Sequence, residues 1–323
     1  MTRVAAIDCG TNSIRLLVAD AIPRGEGQLP ELTDLTRQMR IVRLGQGVDE
    51  TGVLDPQAIQ RTVEAAAEYR RMIDRLEVDR IRFVATSASR DASNRDDFVQ
   101  EITRVLGVAP EVVEGTQEAA LSFVGAVQGL GENVESPMLV VDIGGGSTEL
   151  VLGGESVEQS ISVDMGAVRV TEKFFAHCDP GVGIDEESQR RAIEWIDEQL
   201  NRAEKSVDLR RVRTLVGVAG TVTTLTAQAL GLTGYQPERI HGAWLTVEEI
   251  DQAVRFMVDQ PVAVKAALGF MPAGREDVIA AGSLIWSRIV ARVVERAGEA
   301  GREIDRVVTS EHDILDGIAL SLM

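Results

Sequence analysis

The sequence DCGTNSIRLLV at residues 8–18 recurs as DIGGGSTELVL at residues 142–152, and the two segments align without a gap. Asp, Gly, Ser and Leu coincide, and the apolar positions match in kind. Each segment reads as an apolar strand that ends in Asp, a turn rich in glycine and hydroxyl residues, and a returning apolar strand. Two copies of one motif in a single chain predict two related lobes.

The sequence around each copy alternates between strand and helix patterns, which predicts an α/β fold. The first lobe is expected over residues 1–128, with the C-terminal helix at 311–323 rejoining it, and the second over 129–310. Loops are predicted at 23–30 and at the linker 129–131. Strands are expected at 3–8, 14–19, 32–43, 81–85, 111–113, 138–143, 148–152, 157–163, 213–218 and 305–309. Helices are expected at 55–76, 96–106, 116–128, 185–204, 222–230, 246–258, 276–297 and 313–320.

Composition excludes several classes of protein. The chain of 323 residues is 44% hydrophobic and 26% charged, which is typical of a globular protein. No apolar run reaches the roughly 18 residues of a membrane helix, and Asp8 comes too early for a secretory signal. A net charge of −18 argues against a DNA or membrane partner. Two cysteines predict a reducing, cytoplasmic setting rather than a disulfide framework.

The repeated turns have the chemistry of an anion site. Glycine and hydroxyl residues between two strands expose backbone N–H groups, which together bind anions such as phosphate. The acid at the end of the first strand would repel phosphate but can hold Mg²⁺ beside it. Asp8 and Asp142 are therefore candidate metal ligands. The alternative is a tight hairpin in which Asp caps its own turn; the duplication favours the anion site.

The eighth position of the motif differs between the copies, with Arg15 in the first and Glu149 in the second. An arginine beside a phosphate loop can bind phosphate through two N–H groups. An acid at the matching place could orient water or hold a metal. The alternative is that both are solvated charges on edge strands.

These segments resemble the two phosphate loops of the exopolyphosphatase/guanosine-pentaphosphate phosphohydrolase (Ppx/GppA) family. Three further segments are similar to family segments in the same order: ATSASRDA at 85–92, GTQEA at 115–119 and GVAGTVTTL at 217–225. The tail SEHDILDG at 310–317 fits the closing helix of the family. The resemblance implies two ribonuclease-H-like lobes of the actin–Hsp70–sugar-kinase fold, facing a central cleft.

The resemblance also implies roles for individual residues. Glu118, in the segment 114–119, would be the general base that activates water, and Glu149 would be a second catalytic acid. Metal ligands would be Asp8, Asp142 and Glu149. Phosphate would be bound within the loops 8–15, 142–149 and 217–225 and by one further arginine: Gly10, Thr11, Asn12, Ser13, Arg15, Arg90, Gly144, Gly145, Gly146, Ser147, Thr148, Gly220 and Thr221.

Each of these residues also has a simpler explanation. Glu118 alone reads as an exposed helical acid, and Arg90 as a surface ion pair with Asp91 or Asp96. The segment 217–225 resembles the loop that approaches adenosine in kinases of this fold, but Thr221 could equally be a helix N-cap. The three histidines lack metal-ligand spacing and are given no catalytic role. Trp195, Trp244 and Trp286 fall in helical or amphipathic stretches and are predicted to be core or interface residues.

The sequence therefore predicts an exopolyphosphatase that uses Mg²⁺ (or Mn²⁺) and water to release orthophosphate from polyphosphate. Hydrolysis of pppGpp to ppGpp, a homodimer and lobe closure about residues 129–136 are further expectations. Two departures from the family pattern are Gln117, where many relatives carry an acid, and the end of the chain at Met323 without the C-terminal helical domains of longer relatives. An ATP-dependent kinase of the same fold and a non-catalytic sensor of polyphosphate or (p)ppGpp are the alternatives.

Overall fold

A computed structural model of the protein describes residues 1–25, 29–130 and 134–323. The chain divides into two compact units: Met1–Gly125 together with Ile314–Met323, and Ala126–Asp313. The loop predicted at 23–30, the linker at 129–131 and the hinge at 129–136 each include residues that lie outside the described ranges.

The first unit is built on a five-stranded sheet in the order β3-β2-β1-β4-β5. The strands are β1 (Thr2–Cys9), β2 (Ser13–Ile22), β3 (Glu31–Ile41), β4 (Arg80–Ala85) and β5 (Glu111–Val112). The helices are α1 (Val48–Thr51), α2 (Pro56–Arg75), α3 (Ser87–Asp91), α4 (Arg95–Leu106), α5 (Gly115–Val127) and the C-terminal α13 (Ile314–Leu320). The three strands β1 to β3 form an antiparallel meander, and β4 and β5 then continue the sheet in parallel with β1.

Helices cover both faces of this sheet because β1 is apolar at every position from Val4 to Ile7. Ala5 and Ile7 pack in one core with α2 and α4, and Val4 and Ala6 pack in a second core with α13. An ion pair anchors α13: Arg37 on β3 binds the buried Asp316, with Nη2 to Oδ1 at 2.6 Å.

Local sequence signals set the ends of these helices. The Asp55 carboxylate accepts hydrogen bonds from the N–H groups of Gln57 and Ala58 at the start of α2, as its Asp-Pro sequence predicts. Gly107 ends α4 in the left-handed conformation, with φ of 77°.

The second unit contains a six-stranded sheet in the order β10-β11-β9-β6-β7-β8. Its strands are β6 (Met138–Ile143), β7 (Thr148–Gly153), β8 (Val157–Val163), β9 (Thr214–Val218), β10 (Trp244–Thr246) and β11 (Arg306–Thr309). Its helices are α6 (Ala167–Val170), α7 (Glu186–Ala203), α8 (Ala219–Ala229), α9 (Pro237–Ile240), α10 (Val247–Asp259), α11 (Val262–Ala266) and α12 (Ile279–Glu299), with a π-helix at Thr171–Phe175 and a 3₁₀ turn at Leu209–Arg211.

Both sheets share one topology. From the outer strand of each meander, the orders β3-β2-β1-β4-β5 and β8-β7-β6-β9-β11 match, as do the strand directions, and β10 is an extra antiparallel edge strand in the second sheet. This is the ribonuclease-H-like arrangement in each unit, so the predicted α/β fold with two related lobes is confirmed.

The structure differs from the predictions made from the sequence at two elements and locates the three tryptophans. Helix α8 begins at Ala219, three residues before the predicted start, and Trp244 lies on the short strand β10 rather than in a helix. Trp286 is fully buried in the core around α12, and Trp195 packs partly buried against the same core. Within the described ranges, no helix is both long enough and apolar enough to cross a membrane.

Candidate active site

The two copies of the repeated motif form hairpins of the same geometry. In the first, Gly10 N–H donates to Ser13 O at 2.9 Å, and in the second Gly144 N–H donates to Ser147 O at 3.0 Å. The register also matches, because Asp8 lies opposite Arg15 on β1 and β2 just as Asp142 lies opposite Glu149 on β6 and β7. The repeat in sequence is therefore a repeat in structure.

In both hairpins the carbonyl groups of the turn are bound by the backbone of a following segment. In the first unit, Asn12 O accepts hydrogen bonds from Val42 N–H and Arg43 N–H, at 3.0 and 2.9 Å. Thr11 O accepts a bond from Gly45 N–H at 2.9 Å. These bonds fix the turn from its carbonyl side.

The start of α6 does the same in the second unit. Gly144 O accepts a hydrogen bond from Ala167 N–H, and Gly145 O accepts one from Val168 N–H, both at 2.9 Å. Gly166 makes this contact possible, because a Cβ at that position would lie 2.2 Å from Gly145 O. The close approach of the two backbones thus requires glycine.

The N–H groups of the turns are left as donors. Within the described ranges, the backbone N–H groups of Thr11 and Asn12 in the first turn, and of Gly145, Gly146 and Ser147 in the second, make no hydrogen bond to a protein acceptor. Clustered amides of this kind form an anion site. The predicted role of these glycine-rich turns is chemically reasonable in both units.

Asp8 and Arg15 form a cross-strand ion pair in the first unit. Arg15 Nε and Nη2 both donate to Asp8 Oδ2, at 2.9 and 2.7 Å. Asp8 is only 5% exposed, so the arginine compensates a buried carboxylate. This contact competes with the two predicted roles, Asp8 as metal ligand and Arg15 as phosphate ligand.

Asp142 and Glu149 place two buried acids side by side in the second unit. They are 7% and 1% exposed, and Ser162 Oγ donates to Glu149 Oε1 at 2.7 Å. Adjacent carboxylates on one face of a sheet favour a cation between them.

Thr148, predicted to bind phosphate, is fully buried and its hydroxyl donates to Met165 O.

A closed metal site is absent from residues 1–25, 29–130 and 134–323, where no group of three or more His, Cys, Asp or Glu side chains could hold an ion. Mg²⁺ does not need such a group, because it commonly binds one or two carboxylates together with water and substrate phosphates. Asp142 and Glu149 fit this open kind of site. Asp8 fits it less well, since its Oδ2 already accepts two bonds from Arg15.

Arg90 and Glu118 meet inside the first unit. Arg90, on α3, donates through Nη1 to Val113 O at 2.9 Å and to Glu118 Oε2 at 3.3 Å. Glu118 lies in the first turn of α5 and is 8% exposed. The simpler explanations of both residues are therefore wrong: Glu118 is a buried acid and Arg90 is its partner.

Gln117 has a structural role at the start of α5. Its side-chain carbonyl accepts a hydrogen bond from Glu114 N–H at 3.2 Å, and Glu114 O accepts one from Glu118 N–H at 3.0 Å. A glutamine three residues into a helix that binds the preceding backbone is half of a capping box. Gln117, which replaces the acid of many relatives, thus still stabilises the start of α5, where Glu118 lies.

The segment 217–225 connects β9 to α8. Thr221 lies inside the helix, whose N-cap is Val218, so the N-cap explanation of Thr221 is wrong. Arg275 covers the turn: its Nη1 donates to Gly220 O at 3.2 Å, and a Cβ on Gly220 would lie 2.3 Å from Nη2. The guanidinium therefore rests on the face of Gly220. Sequence analysis gave Arg275 no role, and no motif marked it.

His241 and His312 pack edge to face, with ring centroids 4.7 Å apart. His241 Nδ1 accepts a hydrogen bond from Glu311 N–H at 3.3 Å. Both rings thus take part in packing in the second unit.

Alanine at Gly166 tests the contact that fixes the second turn. The added Cβ would lie 2.2 Å from Gly145 O and 2.5 Å from Gly146 N, so the turn or α6 must shift. We expect Gly166→Ala to lower the free energy of unfolding by about 1–3 kcal/mol, measured by chemical denaturation. Gly154→Ala is the control, because its Cβ would meet Ser136 at an ordinary 3.5 Å. Equal stability of Gly166→Ala and wild type would contradict the packing described.

Known proteins resemble this chain over its whole length. The sequence model of the Ppx/GppA phosphatase family matches residues 21–303. The chain is 46% identical over 330 aligned residues to exopolyphosphatase 2 of Mycobacterium tuberculosis, covering 100% of this chain and 99% of the relative.

Solved structures agree. A crystal structure of an exopolyphosphatase-like protein has 41% identity and a TM-score of 0.92, covering 99% of this chain and 98% of that one. The Ppx/GppA family member of Aquifex aeolicus has 32% identity and a TM-score of 0.75, covering 99% and 97%. With its repeated hairpins and this similarity along the full chain, the protein belongs to the Ppx/GppA phosphatase family.

Proposed function

We propose that this protein is an exopolyphosphatase, a phosphoanhydride hydrolase that releases orthophosphate from the end of inorganic polyphosphate. The relative at 46% identity carries that name over nearly equal length. The observation that carries the proposal is the pair of equivalent turns whose clustered backbone N–H groups make no hydrogen bond to the described part of the protein. Phosphoryl transfer needs such donors, because catalysis consists mainly of positioning the phosphate and neutralising its charge.

In this proposal each turn binds phosphate oxygens through its backbone N–H groups, and Arg15 and Arg90 donate further N–H groups. Glu118 takes a proton from the attacking water, which must lie within hydrogen-bond distance of its carboxylate. The bond from Arg90 Nη1 orients that carboxylate. Glu149 assists by placing the water or by holding a cation.

A divalent cation, Mg²⁺ or Mn²⁺, belongs to the same proposal. When bound, it would neutralise charge on the phosphate oxygens during transfer. Asp142 and Glu149 would hold it, with Asp8 as a weaker candidate. Its support is the pair of adjacent buried carboxylates in register on β6 and β7.

Hydrolysis of pppGpp is the finer part of the proposal, since its terminal phosphoanhydride presents the same chemistry. The kinase alternative is disfavoured by Arg275, whose guanidinium rests on the turn at Gly220 where the resemblance places adenosine. The sensor alternative predicts binding of polyphosphate without phosphate release.

We also propose that the protein acts as a cytoplasmic homodimer without a DNA or membrane partner. The resemblance to the family supports the dimer. The net charge of −18 disfavours polyanionic partners, and the two cysteines suit a reducing compartment.

Glutamine at Glu118 should separate hydrolysis from binding. We expect Glu118→Gln to lower phosphate release from inorganic polyphosphate by about 100-fold or more, because a general base contributes factors of that size, while polyphosphate binding is retained. The matched control is Glu101→Gln, an exposed helical acid on α4. The assay is orthophosphate release from polyphosphates of defined length and from pppGpp. Equal rates for wild type and Glu118→Gln would show that Glu118 is not the base.

Asparagine at Asp142 tests the cation site. We expect Asp142→Asn to raise the Mg²⁺ concentration needed for half-maximal phosphate release by about tenfold or more, since even outer partners of a metal site have effects of this size. The exposed Asp251→Asn, on α10, is the control. The measurement is the rate against Mg²⁺ concentration after treatment with a chelator. An unchanged Mg²⁺ requirement would remove Asp142 from the site.

A further inference from the structure

Arg169 is an arginine of the second unit to which the sequence analysis gave no role. It is the third residue of α6, and its side chain is partly buried. Its Nε donates to Gly146 O at 2.8 Å. Because Nε is part of the planar guanidinium, this bond holds the whole charged group beside the glycine turn.

The backbone of Arg169 binds the same turn. Its N–H donates to Gly145 O at 3.2 Å, next to the bond that Val168 makes at 2.9 Å. Ala167 and Val168 pack with Val278 in a small apolar cluster, so the start of α6 is fixed to the unit as well as to the turn. Backbone and side chain together leave the guanidinium little freedom.

A π-helix follows at once, from Thr171 to Phe175. Short π-helical segments are rare and are frequently found at functional sites. Phe174 and Phe175 of this segment are buried in the core of the unit. Arg169 thus lies two residues before a rare element, whose two phenylalanines are buried in the core.

The first unit also has an arginine whose backbone N–H binds a carbonyl of its turn. Val42 and Arg43 donate their N–H groups to Asn12 O, as Val168 and Arg169 donate theirs to Gly145 O. Arg43 adopts a φ of 52°, a left-handed conformation that few non-glycine residues take. The ungapped repeat aligns Asn12 with Gly146 rather than with Gly145, and it does not align the two arginines, so the two contacts are similar but not equivalent.

The positive charge of Arg169 lies beside a turn that is flanked by two acids. The second turn offers the N–H groups of Gly145, Gly146 and Ser147, but the two acids Asp142 and Glu149 lie on the strands that flank it. Those acids repel an approaching phosphate. A guanidinium fixed on the turn offsets that repulsion, and its fork of N–H groups matches two oxygens of one phosphate.

We propose that Arg169 is a phosphate-binding residue of the second turn. Its Nε stays on Gly146 O, and its guanidinium donates to non-bridging oxygens of the phosphate held by the turn. The inference rests on the proposed function and adds one substrate-binding residue to its site.

The experiment compares Arg169→Ala and Arg169→Lys with the control Arg255→Ala, which removes an exposed arginine paired with Asp251 on α10. The kcat and KM for phosphate release from inorganic tripolyphosphate are measured. We expect Arg169→Ala to lower kcat/KM by about 10- to 100-fold, the range expected for hydrogen bonds to a charged group. Arg169→Lys keeps the positive charge but lacks the planar guanidinium, so its kcat/KM should lie between those of wild type and Arg169→Ala. Arg255→Ala should match wild type.

The Kd for inorganic tripolyphosphate, measured in Glu118→Gln with and without each Arg169 change, separates binding from catalysis. We expect both changes to weaken binding, and thermal unfolding identifies which variants are folded. If Arg169→Ala does not fold, the kcat/KM and Kd of Arg169→Lys alone test the proposal. A folded Arg169 variant whose kcat/KM and Kd stay within about twofold of its parent overturns the proposal. If wild type releases no phosphate from polyphosphate, the proposed function fails instead, and the Kd values still test Arg169.

Discussion

The hydrogen bonds from a following backbone segment to the carbonyls of the glycine turns are the contact on which the proposed site depends. Asn12 O and Thr11 O in the first unit, and Gly144 O and Gly145 O in the second, all accept such bonds. A turn whose carbonyls are bound on one side presents its N–H groups on the other. Without these bonds a glycine-rich turn would sample many conformations, and its donors would not converge on an anion.

The same scaffold is charged differently in the two units. Opposite positions on the paired strands hold an acid and an arginine in the first hairpin, Asp8 and Arg15, but two acids in the second, Asp142 and Glu149. The first pair is formally neutral and needs no additional ion. The second favours a cation and, by our inference, an arginine from α6. One duplicated fold can in this way supply both the donors and the metal that phosphoryl transfer requires.

Much of the fold could be predicted from the sequence because its signals are local. The hairpin of each copy, the Asp55 N-cap and the Gly107 C-cap follow from residue type and spacing alone. Strand β10 and the early start of α8 could not be predicted in this way. Three residues of edge strand carry little pattern, and α8 begins at Ala219, whose φ of 64° no propensity anticipates.

The residues of the candidate site also divide into those that local sequence predicts and those that depend on tertiary contacts. Turn residues were predictable because glycine and hydroxyl types have few other uses in that pattern. The contact of Arg90 with Glu118 joins residues from two helices, and the positions of Arg169 and Arg275 depend on where α6 and the segment before α12 pack. Tertiary contacts of this kind produce no periodic pattern in a single sequence, so they could not be predicted from it. Gln117 is an intermediate case, since its capping role was visible in its spacing from Glu114.

The central claim is that the backbone N–H groups of the glycine turns bind phosphate oxygens of polyphosphate. A crystal structure of Glu118→Gln with inorganic tripolyphosphate and Mg²⁺ tests it most directly. The account predicts phosphate oxygens within hydrogen-bond distance of turn N–H groups, either those of Thr11 or Asn12 or those of Gly145, Gly146 or Ser147. A tripolyphosphate bound away from all of these N–H groups would contradict it.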